Sequence, residues 1–246
     1  MHQLIRLAFT ALFMLALSGA ALAFTPDEAE LSKRLNAAYG PLTSWEAEMT
    51  FPDHSGAKAR IWYARGKWRQ EWTAGDTAAA VGVGGSVVAA CTAGDYALSP
   101  MFVWMVPNPI ETWKSWGVSN STASFGFCDG TPCYRFGVES DDQTLPAVHL
   151  NNEDMSPLLV RYLVDETLVS VRFGDYATLG GFQVPRSVTT VIGADDVIEA
   201  RLAWKAVNQA KDEERFAREA FDDAPCASPP QPFGLLRDSF RLPVSE

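Results

Sequence analysis

From Ser44 to Phe51 the chain alternates. Trp45, Ala47, Met49 and Phe51 are apolar and Glu46, Glu48 and Thr50 polar, which predicts a strand with one dry and one wet face. Residues 58–65 alternate less cleanly, setting Ala59, Ile61, Tyr63 and Arg65 against Lys58, Arg60 and Trp62. After Gly66 and Lys67, Trp68, Gln70 and Trp72 share a face opposite Arg69 and Glu71. Short turns between these runs predict an antiparallel meander. Runs rich in Val, Leu, Thr and Phe return at 158–164, 167–173 and 186–192. In 197–207, Ile198, Ala200, Leu202, Trp204 and Ala206 oppose Glu199, Arg201 and Lys205. One large antiparallel sheet, wet on its convex side and dry on its concave side, accounts for both sets, and the fold class is mainly β (α+β).

Two regions break the strand pattern. Ahead of the first strand, Leu31, Leu35, Ala38 and Tyr39 recur at helical spacing. Thr25 is placed to cap that helix, Pro26 to open it, Glu28 to complete a capping box, and Gly40-Pro41 to end it. Between the two sets of strands, Ser99-Pro100 signals a second helix start and Pro107 its stop. Met101, Phe102, Val103, Trp104, Met105 and Val106 leave this short helix no polar face, so it must cover, or be covered by, something apolar. It reads either as a core plug or as a movable lid over the concave face. Trp113 and Trp116 follow on a further segment, 108–116. Gly82 to Gly85 lack the GK[ST] ending of a phosphate loop and read as a hairpin or bulge.

Composition narrows the compartment. Residues 1–23 carry Arg6, an apolar run from Leu7 to Leu17 and the ending Ala21-Leu22-Ala23. That run is shorter than the roughly 20 residues of a spanning helix, so it predicts a signal peptide cleaved near Ala23 and a soluble periplasmic protein. No cysteine follows Ser18, Gly19 and Ala20, so the acceptor for lipid attachment is missing. In an oxidising compartment four cysteines form disulfides by default, in one of three pairings. The turn-forming Asp129, Gly130 and Pro132 favour Cys128 with Cys133, leaving Cys91 for Cys226. A net charge of −10 argues against nucleic acid and anionic membrane surfaces as partners. No metal site or cofactor is expected, since His54 and His149 lie apart from the cysteine pairs. GxSxG, HExxH, SxxK and Walker patterns are absent, and Asp141-Asp142 and Asp195-Asp196 read as solvated loops, so no catalytic residue is assigned. Beyond Phe221, prolines 225, 229, 230, 232 and 243 predict an extended or loosely draped tail attached through Cys226.

The order of these elements resembles the LolA-like family of periplasmic lipoprotein carriers and related lipoprotein-sorting and regulatory proteins. The resemblance spans about 26–221, between the signal at 1–23 and the tail at 222–246. It is carried by Ser44-Trp45-Glu46-Ala47, by the run from Ile61 to Arg69, by Ser99-Pro100-Met101-Phe102, and by Gly181-Phe182-Gln183-Val184-Pro185. It implies a half-barrel whose cavity is lined by Trp45, Met49, Phe51, Ile61, Tyr63, Trp68, Leu202 and Trp204. Met101, Phe102, Trp104 and Met105 would form its lid. Arg65, sharing the parity of Ile61 and Tyr63, would be the switch that hydrogen-bonds the lid when the cavity is empty; a solvated strand-end arginine is the alternative reading. The implied function is a monomeric, non-enzymatic carrier taking acylated lipoproteins or other lipids from an inner-membrane donor to an outer-membrane acceptor. A sensor or regulatory module of the same fold, binding lipid or a protein segment without transport, is the alternative.

Overall fold

The computed structural model describes residues 25–92, 96–104, 109–139, 142–209, 213–220 and 225–240. Residues 1–23, read as a signal peptide, lie outside them, as do Met105 and Pro107. The described chain opens with helix α1 (Glu28–Tyr39), capped by Asp27, whose carboxylate accepts the Glu30 N–H at 2.8 Å. The cap is therefore not Thr25: a capping oxygen must sit immediately before the first helical residue to reach the N–H groups of the first turn.

Five strands follow as a meander: β1 (Ser44–Thr50), β2 (Lys58–Ala64), β3 (Lys67–Ala74), β4 (Asp76–Val83) and β5 (Ser86–Ala90). Two short helices, α2 (Met101–Trp104) and α3 (Pro109–Ser115), lead to a second series. This comprises β6 (Ala123–Cys128), β7 (Thr131–Phe136), β8 (Ala147–Asn151), β9 (Pro157–Val164) and β10 (Thr167–Gly174). A small hairpin of β11 (Ala177–Leu179) and β12 (Phe182–Val184) stands apart, and β13 (Ser187–Ile192) and β14 (Asp196–Val207) finish the sheet. Two 3-10 turns, Glu214–Phe216 and Arg218–Ala220, and helix α4 (Phe233–Ser239) complete the described chain.

The twelve main strands form one antiparallel sheet in the order β5-β4-β3-β2-β1-β14-β13-β10-β9-β8-β7-β6. The two series join where β1 pairs with β14, and β5 and β6 are left as the free edges of an unclosed sheet. The link carrying α2 and α3 runs from one edge to the other, and it crosses the concave face. That is why α2 has no polar side: Met101, Phe102, Val103 and Trp104 are all buried.

The sheet is strongly curved. β3 and β9 are six strand steps apart, about 29 Å along a flat sheet at ~4.8 Å per step. Yet α4, about 10 Å long at ~1.5 Å per residue, has Phe233 against Trp72 of β3 while Phe240, just beyond its end, touches Tyr162 of β9. Only a sheet rolled toward a half-barrel brings those strands within reach of one short helix. The tail is thus not loosely draped: Phe233, Leu236 and Phe240 belong to the same core as the sheet.

Side-chain sizes along β3 and β4 explain how the inner face packs. Trp68, Gln70 and Trp72 pair with Gly82, Ala80 and Ala78, three large residues against three small ones. A Cβ at Gly82 would lie 2.1 Å from the Trp68 ring, so only glycine fits beneath that indole. On the convex side Trp62 is also buried, held between the guanidinium groups of Arg60 at 4.7 Å and Arg215 at 4.9 Å, the latter from the first 3-10 turn. Both expected disulfides are present, Cys128–Cys133 across the β6–β7 hairpin and Cys91–Cys226 between the end of the first meander and the tail.

Candidate functional site

Register divides the concave face into two ends. Trp45, Tyr63 and Trp68 lie toward the end where β2 meets β3, and Phe51, Trp72, Val169 and Tyr162 toward the opposite one. At the first end α1 lies over the sheet, and five rings form a continuous ladder from helix to strand. Tyr39 of α1 meets Trp104 of α2 at 5.5 Å, Trp104 meets Trp204 of β14 at 5.4 Å, Trp204 meets Trp45 of β1 at 5.6 Å, and Trp45 stacks on Tyr63 of β2 at 5.5 Å. Such offset and edge contacts suit the ring quadrupoles. The β11–β12 hairpin and the residues after it hold the polar tips: Tyr39 donates its hydroxyl proton to the Gln183 carbonyl at 3.1 Å, and the Trp204 indole N–H donates to the Pro185 carbonyl at 2.6 Å.

Beside this ladder opens a cleft of about 250 Å³, lined from α1 by Ser32, Leu35, Asn36 and Tyr39, and by Leu42, Tyr63, Trp104, Ile110, Trp113, Met155 and Pro157. Its described lining contains no charged side chain. Burial drives the Tyr39 phenol well above its ordinary pKa, with the nearby Asp154 adding to the effect, so that hydroxyl stays a neutral donor. The Tyr176 phenol, raised likewise by burial, donates to the Pro157 carbonyl at the rim. An uncharged, aromatic and aliphatic surface of this kind solvates hydrocarbon. Lys114, the residue after the cleft-lining Trp113 on α3, bridges Glu28 of α1 at 2.8 Å and Glu111 at 2.9 Å. Hydrogen bonds from Lys114 and then Asn120 hold the Glu28 carboxyl below the usual glutamate range.

The cover is anchored by buried polar side chains. Gln70, fully buried between Trp68 and Trp72, donates its side-chain N–H to the Ala97 carbonyl at 2.5 Å and accepts the Ser99 N–H at 2.7 Å. Ser99 then turns its hydroxyl to the Met101 N–H at 3.2 Å, starting α2, and donates to the Met49 sulfur at 3.4 Å. Nearby, Tyr96 donates to the carbonyls of Ala78 and Gln70. The segment entering α2 is therefore pinned to β3 and β4 by side chains.

Of the residues picked out in the sequence, Tyr63 and Trp104 line the cleft, and Trp45 and Trp204 complete the ladder. Met49, Phe51, Ile61, Trp68, Met101, Phe102 and Leu202 are buried in the packed interior, with Trp68 edge-on to Phe102 at 5.0 Å. Met105 lies outside the described residues. Arg65 does not face the cavity. β2 ends at Ala64, which pairs with Lys67, so Arg65 and Gly66 form a two-residue hairpin turn with φ of 49° and 84°. The turn rotates Arg65 out of the strand's parity, and its side chain is 78% exposed, 3.9 Å from Glu213. The contact with the cover assigned to Arg65 is made instead by Gln70. A lone amide on a face otherwise carrying two tryptophans was the available signal for it. Leu35 and Tyr39 were legible only as a helix stripe, while Met155 and Pro157 gave no signal.

No family model and no curated protein matches the chain. Among solved structures it is similar to a LolA superfamily protein from Nitrosomonas europaea, with a TM-score of 0.46 and 8% identity over 80% of this chain and 100% of that one. It is also similar to a DUF1329 family protein from Desulfovibrio piger, with a TM-score of 0.44 and 12% identity over 78% of this chain and 97% of that one. Among the described residues, no helix is long and apolar enough to cross a membrane, and no group of three or more His, Cys, Asp or Glu side chains could hold a metal ion.

Proposed function

We propose that this protein binds acyl chains of lipoproteins or other lipids in its half-barrel and carries them through the periplasm toward the outer membrane. The observation that supports it most is the uncharged cleft where α1, α2, α3 and the sheet meet at the aromatic ladder. At about 250 Å³ the cleft falls below the ~300–1,000 Å³ of sites that enclose a drug-sized ligand, so it acts as an entrance. The container is the volume now filled by the cover. Exchanging an all-apolar helix for a hydrocarbon chain buries apolar surface in both states, so the net cost is small. The indole N–H groups of Trp45, Trp113 and Trp116 are buried without an acceptor among the described residues, which makes the covered state easier to leave. Two disulfides fit an oxidising compartment. In this reading the protein is a monomer that receives its cargo from an inner-membrane donor and passes it to an outer-membrane acceptor.

The buried Gln70 anchor favours a second reading, a sensing module of the same shape that binds without releasing. Native mass spectrometry with lipid extraction on protein purified from the periplasm tests both. Co-purified acylated molecules that pass to acceptor vesicles support the carrier, and retained ones support the sensor. A protein that is always empty, and that gives no fluorescence change with a hydrophobic probe, removes both.

A further inference from the structure

The tail helix α4 fills the end of the concave face that the cleft does not reach. Phe233 inserts between Trp72 and Tyr96, each at 5.4 Å, and Phe240 packs against Trp116 and Tyr162. Phe233 and Leu236, at i and i+3 of the helix, and Phe240, just past its end in extended conformation, are all buried against the sheet. We propose that α4 is the chain's own occupant of a second acyl-chain subsite, continuous with the cleft at the α1 end, and that an incoming hydrocarbon chain displaces it. This rests on the acyl-binding reading above and adds where the far end of the chain lodges.

Three features mark α4 as an occupant rather than a fixed layer. It spans only Phe233–Ser239, too short to be stable alone, and among side chains its first turn is held by Gln231, whose amide oxygen accepts the Leu235 N–H at 3.0 Å. Its buried face is sealed by Phe233 and Leu236, but along its outer flank runs a cleft of about 390 Å³, between Gln231, Leu235, Arg237 and Asp238 of the tail and Asp165, Val169, Ile192 and Asp196 of the sheet. It is also leashed. The Cys91–Cys226 disulfide, reinforced by the Cys226 N–H donating to the Cys91 carbonyl, holds the tail seven residues before Phe233. Seven extended residues reach about 24 Å, so the helix can swing clear with the bridge intact. The same leash couples the tail to the cover, because Cys91 begins the crossing segment and Phe233 rests on Tyr96, three residues before Ser99.

Hydrogen exchange on the full chain, read by mass spectrometry with and without saturating phenylnaphthylamine, tests this. The probe should lower protection across 233–240 about tenfold while the amides of β3 and β9 keep theirs. Leu236→Ser should bind the probe about fivefold more tightly, because α4 competes less well for the subsite. The exchange experiment needs no substitution, so it decides the matter even if that variant misfolds. Bound probe with unchanged exchange at 233–240 overturns the tail's role and leaves the acyl-binding reading standing. Absence of probe binding to the wild type and to Leu236→Ser overturns both.

Discussion

The two ends of the half-barrel solve one problem, covering an open apolar sheet edge-on, in different ways. At one end α1 arrives early in the described chain, is capped by Asp27, and joins the sheet through a ladder of five rings. At the other, α4 comes late in the described chain, is capped at its first turn by Gln231, and is brought back by a disulfide. A cover built from local signals forms wherever its sequence goes, whereas a cover held by a leash depends on the leash. The difference teaches that the α4 end is the conditional one.

Removing the leash should give the largest effect. By the loop-entropy estimate, closing a loop at a separation of 135 residues is worth about 5 kcal/mol, and at a separation of 5 about 2 kcal/mol. Cys91→Ser with Cys226→Ser should therefore lower the denaturation midpoint more than twice as far as Cys128→Ser with Cys133→Ser, and raise exchange at α4 before α1. Equal losses from the two pairs would dissolve the contrast between the ends.

Gln70 sits between Trp68, which faces the α1 end, and Trp72, which faces α4, so it tests whether the ends share a support. Gln70→Ala leaves the Ala97 carbonyl and Ser99 N–H unpaired in the core and should cost about 2–4 kcal/mol in chemical denaturation. Exchange should rise at both α2 and α4. A rise at one end alone would make the two covers independent.

A smaller effect is expected from acid at the α1 end only. The Glu28 carboxyl is held below its ordinary range by Lys114, so its contribution is present at neutral pH and is lost as pH falls through that lowered value. Acidification should loosen α3 from α1, seen as a shift in tryptophan emission, and Glu28→Gln should abolish the step without disturbing α4. The smallest effect belongs to Arg65→Leu. An exposed pair at 3.9 Å contributes ~0–1 kcal/mol, so probe binding should be unchanged. A strong loss of binding would return Arg65 to the site.

Legibility followed the strength of local pattern. β1 and β14 stood out because β1 keeps period two over its length and β14 keeps it from Ile198 to Trp204, after which a bulge puts Val207 rather than Ala206 opposite Trp45; their pairing joins the two halves of the sheet. β4 escaped because Ala78, Ala80 and Gly82 carry little strand preference; their reason for being small is the tryptophans of β3 opposite them. Parity misplaced Arg65 because alternation holds only while the strand lasts, and the hairpin turn begins one residue earlier than the pattern suggests. The tail's prolines predict an extended course, but residues 233–242 hold none, and α4 begins directly after Pro232.

By itself the sequence determined that most of this chain forms strands with one dry face and that an apolar segment without a polar side lies between two sets of them, and it favoured one cysteine pairing of three. These follow from periodicity and turn chemistry, which act over a few residues. Only the tertiary structure decided that Gln70 rather than Arg65 holds the cover, that the cleft lies between α1 and the ladder, and that the tail fills the opposite end. Those depend on which strands the curvature brings face to face, and residues as far apart as Trp72 and Tyr162 meet one helix only once the whole sheet has rolled.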